Sequence, residues 1–149
     1  MTPSLSGFSH ALRGYALVAA LLAAIAVAPR AAAQDEAGAD AARAVIASQL
    51  EAFSRDDWAQ AFTFASPAIR RIFGTPERFG EMVRNGYPMV WRPARVEFVE
   101  AIGAPPALEH RVLFTDGAGR LWVARYSMVR DEGGVWKING VQIEEQTGV

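Results

Sequence analysis

Gly86-Tyr87-Pro88-Met89-Val90-Trp91-Arg92-Pro93-Ala94-Arg95-Val96-Glu97-Phe98 is the stretch at which the chain changes its period. Before it, apolar residues recur every three or four positions; after it, they alternate. Pro88 and Pro93 restrict the backbone between the two regimes. Tyr87, Met89 and Trp91 bring bulk to the same place, fit either to plug one end of a core or to form the lip of a pocket.

Upstream of this hinge the pattern is helical. Ala42, Val45, Ile46, Gln49, Leu50 and Phe53 make one stripe, which predicts a helix starting at Asp40 as N-cap. Residues 34–39 show no period and read as a flexible lead-in. Asp57 with Gln60 resembles a capping box for a second helix that buries Trp58, Ala61, Phe62 and Ala65. Ser66-Pro67 and Thr75-Pro76 each place a hydroxyl at an N-cap and proline at the first helical position. Gly74 and Gly86 sit where those helices end.

Downstream, residues 95–102, 108–115, 121–130 and 135–143 read as strands. Asp116-Gly117-Ala118-Gly119 and Asp131-Glu132-Gly133-Gly134 are the turns between the last three. Helices followed by an antiparallel meander predict an α+β domain with N-terminal helices packed on a sheet of about four strands, spanning residues 40–146. On the third strand, Trp122, Ala124, Tyr126 and Met128 share one face, and Leu121, Val123, Arg125 and Ser127 the other. Neither face is strongly polar. One belongs under the helices; the other is covered by a second copy in a homodimer, or by the chain's own curvature and C-terminal tail.

Residues 1–33 read as an export signal. Arg13 precedes an apolar run from Tyr15 to Ala28, Pro29 breaks it, and Ala31-Ala32-Ala33 offers a cleavage site before Gln34. The run is shorter than the roughly 20 residues of a spanning helix, so after cleavage no membrane attachment is expected. Arginine predominates over lysine and alanine is abundant, which suits a GC-rich bacterial genome and makes the protein periplasmic or secreted.

Cleavage leaves 116 of the 149 residues, with 13 basic against 16 acidic side chains, a formal −3. That balance gives no electrostatic footprint for nucleic acid. The chain has no cysteine, which removes disulfides, thiolate nucleophiles and thiolate metal sites. With one histidine left after processing, no metal site or cofactor is expected.

Three segments carry a family resemblance: Phe62-Thr63-Phe64-Ala65-Ser66-Pro67-Ala68-Ile69, Phe73-Gly74-Thr75-Pro76-Glu77-Arg78-Phe79, and Gly86 to Pro93. With the closing Trp136-Lys137-Ile138-Asn139-Gly140-Val141, they resemble domain of unknown function 4864, a bacterial family of exported proteins. The resemblance implies a cystatin-like roll of the nuclear-transport-factor and SnoaL-like kind, whose curved sheet can enclose a conical pocket. It implies no activity.

No catalytic set emerges from the residues. No Gly-x-Ser-x-Gly elbow or phosphate loop is present. An isomerase- or dehydratase-like enzyme would need His110 or Glu100 as base, with Tyr87 or Tyr126 as hydrogen-bond donor. His110 shares a face with Val112 and Phe114, and reads otherwise as a strand-end histidine facing solvent or bonded to backbone. Glu100 shares the face of Val96 and Phe98 in a regular strand, unless that strand has already reached the surface. Asp56 and Asp57 read as helix caps.

Binding is the better-supported expectation. Gln49 interrupts an apolar stripe and needs a partner, either backbone or ligand. Residues 70–95 hold six arginines, Arg92 among them, against two glutamates, and surround Tyr87, Met89 and Trp91, which suits an anionic ligand with an apolar body, or else a basic segment that faces solvent or the acidic residues 34–57. Trp122 and Tyr126 complete the candidate binding residues, although both also suit a core. The sequence thus predicts a non-catalytic roll that binds a small apolar or anionic molecule or a protein partner. The enzyme and a pocketless envelope interaction domain are the alternatives.

Overall fold

The computed structural model describes residues 28–146. Residues 1–27, which hold most of the expected export signal, lie outside the described residues. The compact unit that carries the core begins at Ala37.

Helix α1 spans Ala28–Ser54, so it runs through both the expected lead-in over residues 34–39 and the expected cap at Asp40. Ala31, Ala32, Ala33, Ala37, Ala41 and Ala42 explain the difference, because alanine sustains a helix without any apolar face. Its inward stripe is the anticipated one: Ala42, Ile46, Gln49 and Phe53 are buried.

Three helices then follow the sequence signals closely. Asp57 caps α2 (Trp58–Thr63) by accepting from the Gln60 N–H at 3.0 Å. Ser66 caps α3 (Pro67–Phe73) through Ile69, and Thr75 caps α4 (Pro76–Gly86) through Arg78, each at 3.3 Å. Caps of this kind contribute about 1 kcal/mol each. Gly74 ends α3 with a φ of 76°, in the left-handed region that favours glycine. The hinge itself contains a short helix, α5 (Pro88–Trp91), where only a restrained connection was anticipated.

The helices pack through aromatic rings. Phe79 lies 6.0 Å from Phe53, 5.4 Å from Phe62 and 5.6 Å from Phe73 between ring centroids. Gly80 permits the approach of α4 to α2: a Cβ there would fall 2.5 Å from Trp58 Cδ2.

The sheet is a meander in the order β1-β2-β3-β4, formed by β1 (Arg95–Ala104), β2 (Ala107–Thr115), β3 (Leu121–Arg130) and β4 (Trp136–Gln146), all antiparallel. Val112, Phe114, Ala124, Tyr126 and Met128 form the buried inner face. A fully buried large aliphatic or aromatic side chain contributes about 1.5–3 kcal/mol, so Val112, Phe114, Tyr126 and Met128 are a substantial part of what holds the helices to the sheet. Register shifts between Phe98 and Glu100, and opposite Ser127/Met128, mark bulges that curve the sheet without closing it. The architecture is the expected α+β one, with helices on one side of a curved antiparallel sheet.

The α2–α3 connection is stitched to β4. Ser66 N–H donates to the Ile138 carbonyl at 2.8 Å, and Ile138 N–H to the Phe64 carbonyl at 2.9 Å. Ser66 Oγ also donates to Asn139 Oδ1 at 2.8 Å. These bonds hold α3 beside the sheet at the bulge.

The outer face carries its own polar covering. Arg111 pairs with Glu100 at 2.8 Å, Arg95 with Glu97 at 2.9 Å, and Arg125 with Glu144 at 3.0 Å. Val123 is half-buried among them, and Leu121 on the same face is exposed.

Candidate functional site

Between the helices and the inner face of the sheet lies a cavity of about 310 Å³. Gln49 and Phe53 of α1 form one wall, and Tyr126 of β3 with Ile138 and Val141 of β4 form another. Ile69 and Phe73 come from α3; Phe79, Met82 and Val83 from α4; and Tyr87 and Val90 from the hinge. Of these, Ile69, Phe73, Met82, Tyr87 and Val141 are only half-buried, which puts the mouth between α3, α4 and β4. None of the lining side chains is charged.

The geometry follows from short helices. α3 has 7 residues and packs against β4, while α4 has 11 and packs on the neighbouring helices, each with its own proline start.

Three polar residues, Gln49, Tyr87 and Tyr126, line this otherwise apolar chamber. Gln49 donates from Nε2 to the Ala61 carbonyl at 3.1 Å, the backbone partner its burial demands. A carboxamide offers two donor and two acceptor positions, and this bond uses one. Tyr126 is fully buried, and its hydroxyl has no hydrogen-bond partner among the described residues. Burial pushes the phenol well above its usual range, so it stays protonated and remains a donor.

The structure thus brings together three of the six candidate binding residues: Gln49, Tyr87 and Tyr126. Trp91 and Arg92 are instead held on Asp56, through Trp91 Nε1 at 2.8 Å and an Arg92 guanidinium nitrogen at 2.9 Å. Asp56 is therefore a clasp between the α1–α2 turn and the hinge, while Asp57 alone is the cap. Trp122 donates from Nε1 to Asp116 Oδ2 at 3.1 Å, with Arg120 stacked 5.2 Å from its ring. That bond, with the Arg120 and Ala118 N–H groups and the Arg120 guanidinium, holds the Asp116 carboxyl down to about 2.

The arginine-rich segment does not supply the cavity with charge. Arg92 serves Asp56, Arg95 pairs with Glu97, and Arg84 lies 5.1 Å over the Trp58 ring. The wall residues Phe53, Ile69, Phe79, Met82 and Val141 carry sequence signals that read simply as core. Only the brevity of the proline-started helices hints that their stripes enclose a space.

The two candidate bases lie elsewhere. His110 is buried, its Nε2 is 2.8 Å from the Ala39 carbonyl, and its ring meets Phe98 edge-on. Glu100 is moved to the outer face by the bulge at Val99, and there it pairs with Arg111. Neither residue lines the cavity that holds Tyr87 and Tyr126. Among the described residues no group of three His, Asp or Glu side chains converges for a metal. Nor is any helix among them long and apolar enough to cross a membrane.

No curated protein matches the chain. The family model described as Domain of unknown function (DUF4864) matches residues 35–149, and the chain belongs to that family.

Proposed function

We propose that this is an exported binding domain that holds one small, predominantly apolar molecule between its helices and its sheet. The observation that carries this reading is the uncharged cavity of about 310 Å³ walled by Phe53, Ile69, Phe79, Met82 and Val141. Its size falls within the range of small-molecule sites, as does its mix of apolar walls and few polar groups. The apolar branch is preferred over the anionic one because no arginine or lysine lines the chamber. Export rests on the Arg13, Tyr15–Ala28 and Ala31–Ala33 pattern. Detection of a mature chain beginning at Gln34 would support it.

The binding role is tested with N-phenyl-1-naphthylamine, a neutral apolar fluorophore. The expected result is saturable enhancement at one probe per chain, abolished by Ile69→Trp, which places an indole at the mouth. Absence of saturable binding, or binding indifferent to Ile69→Trp in a folded variant, counts against the proposal.

A further inference from the structure

We infer that α3 and the adjoining flank of α4 seat the protein on an anionic phospholipid surface, with the mouth of the cavity turned toward it. The inference goes beyond the binding role and is tested apart from it. It starts from the arginines that the fold leaves over. From Ala37 onward, among the described residues, every arginine but three has a carboxylate within salt-bridge distance or lies over an aromatic ring. The exceptions are Arg70, Arg71 and Arg78, all exposed, and they stand on the two helices that frame the mouth.

The apolar half of the surface is on the same helices. Ile69, Ile72 and Phe73 follow the i, i+3, i+4 spacing of one helical stripe. Ile69 and Phe73 line the cavity, but Ile72 is 72% exposed, more than any other large apolar side chain among the described residues. On α4, Arg78 precedes the mouth residue Met82 by one turn and shares its flank. Glu77 and Glu81 are spaced with Arg84 instead, which lies 5.1 Å over the Trp58 ring on a different flank.

A lone exposed isoleucine needs no partner. Here it continues the apolar rim of a mouth, and unpaired guanidinium groups border it. That arrangement lets the side chain enter the headgroup layer while its neighbours meet lipid phosphates. A phosphate accepts from a guanidinium, so the surface that matches these three arginines is anionic. An apolar ligand gains from the geometry, since it passes between bilayer and cavity without crossing water. The docking is peripheral and needs no spanning helix.

The test is co-sedimentation of the chain beginning at Gln34, which holds the whole compact unit from Ala37 and lacks the apolar run of residues 15–28. The vesicles are phosphatidylcholine alone, or phosphatidylcholine and phosphatidylglycerol in equal parts, with no other ligand added. Binding is expected only to the mixed vesicles, and should be lost at about 1 M salt, where the screening length is about 3 Å. The chain is net acidic, so adsorption reports a local patch and not overall charge. Replacing Arg70, Arg71 and Arg78 together with glutamine should weaken binding about a hundredfold, about fivefold for each arginine. Arg111→Gln, which removes one positive charge from the outer face of the sheet, should change it by less than about twofold. Because the chain has no cysteine, Ile72→Cys and Leu121→Cys can each carry one nitrobenzoxadiazole label. The label at 72 should brighten and shift to the blue on the mixed vesicles, and the label at 121, exposed on the outer face, should not. No binding to the mixed vesicles, undiminished binding by the triple variant, or a response at 121 but not at 72 would overturn the inference. None of these results touches the binding role, which is measured without vesicles.

Discussion

Replacing Tyr126 with phenylalanine will make the unliganded protein more stable, the opposite of what loss of a buried polar group usually brings. The side chain is fully buried, its ring lies 6.5 Å from Phe114, and its hydroxyl has no partner among the described residues. A buried donor without a partner carries a penalty of about 1–3 kcal/mol, which the phenylalanine ring escapes. The lost dispersion contacts of one oxygen atom offset part of that gain, leaving about 1 kcal/mol in favour of the variant. For a chain of this size that raises Tm by roughly 4 °C. The assay is urea unfolding of both proteins after denaturation, extraction with organic solvent and refolding, which strips any apolar passenger. The midpoint should rise with the slope m unchanged, because the surface exposed on unfolding is the same. Destabilisation of the stripped variant by about 1 kcal/mol or more would refute the reasoning, because the hydroxyl would then be making a bond that phenylalanine loses.

Three other outcomes follow from the same geometry. Gly80→Ala places a Cβ against the Trp58 ring, which Phe53 and Trp91 hem in; overpacking outweighs the helix-propensity gain, and urea unfolding should show a loss of about 1–2 kcal/mol. Asp56→Ala removes the bonds to Trp91 and Arg92 and leaves alanine at a φ of 56°, for a loss of about 1–2 kcal/mol. Probe affinity should stay within about twofold, since neither Trp91 nor Arg92 lines the cavity; a loss of tenfold or more would return them to the site. Asp116 has its carboxyl held down to about 2, against 3.8 in the unfolded chain. Its contribution is fully present above pH 4 and vanishes as pH falls toward 2, so the stability gap between wild type and Asp116→Asn should close across that window. A gap that is constant from pH 5 to pH 2 would contradict the assignment.

Much of the fold is legible in the sequence because its signals are local. Ser66-Pro67, Thr75-Pro76 and Asp57 start helices by capping chemistry that needs no tertiary context, and all three caps form. The alternation after Pro93 and the two glycine turns define the meander in the same way. Two features escape for physical reasons. Helix α1 extends back to Ala28 because alanine favours helix without producing a stripe, and periodicity detects only stripes. Glu100 leaves the face of Phe98 because a bulge adds one residue, and no composition signal marks it.

The site is legible only in part, and the division is instructive. Gln49 stands out as a polar interruption of an apolar stripe, and it lines the cavity together with the aromatic candidates Tyr87 and Tyr126. Trp91, Arg92 and Trp122 attract notice as aromatic and cationic side chains, but each is satisfied by an aspartate that is distant or unremarkable in sequence. Asp56 is 35 residues before Trp91 along the chain, so its pairing depends wholly on the fold. The apolar walls are invisible as a site because a residue facing a cavity and one facing a packed core have the same chemistry.

The most direct measurement of the central claim is the position of a bound probe by methyl NMR. The wild-type chain, labelled at isoleucine, valine and methionine methyls, is saturated with 2-acetylnaphthalene, and intermolecular NOEs are recorded. The account predicts NOEs from the naphthalene ring to Ile69, Met82, Val83 and Val141, which wall the cavity from both the helices and the sheet. NOEs confined to Val123 and Val129 on the outer face of the sheet, or to the exposed Ile72, with none to the cavity walls, would contradict it.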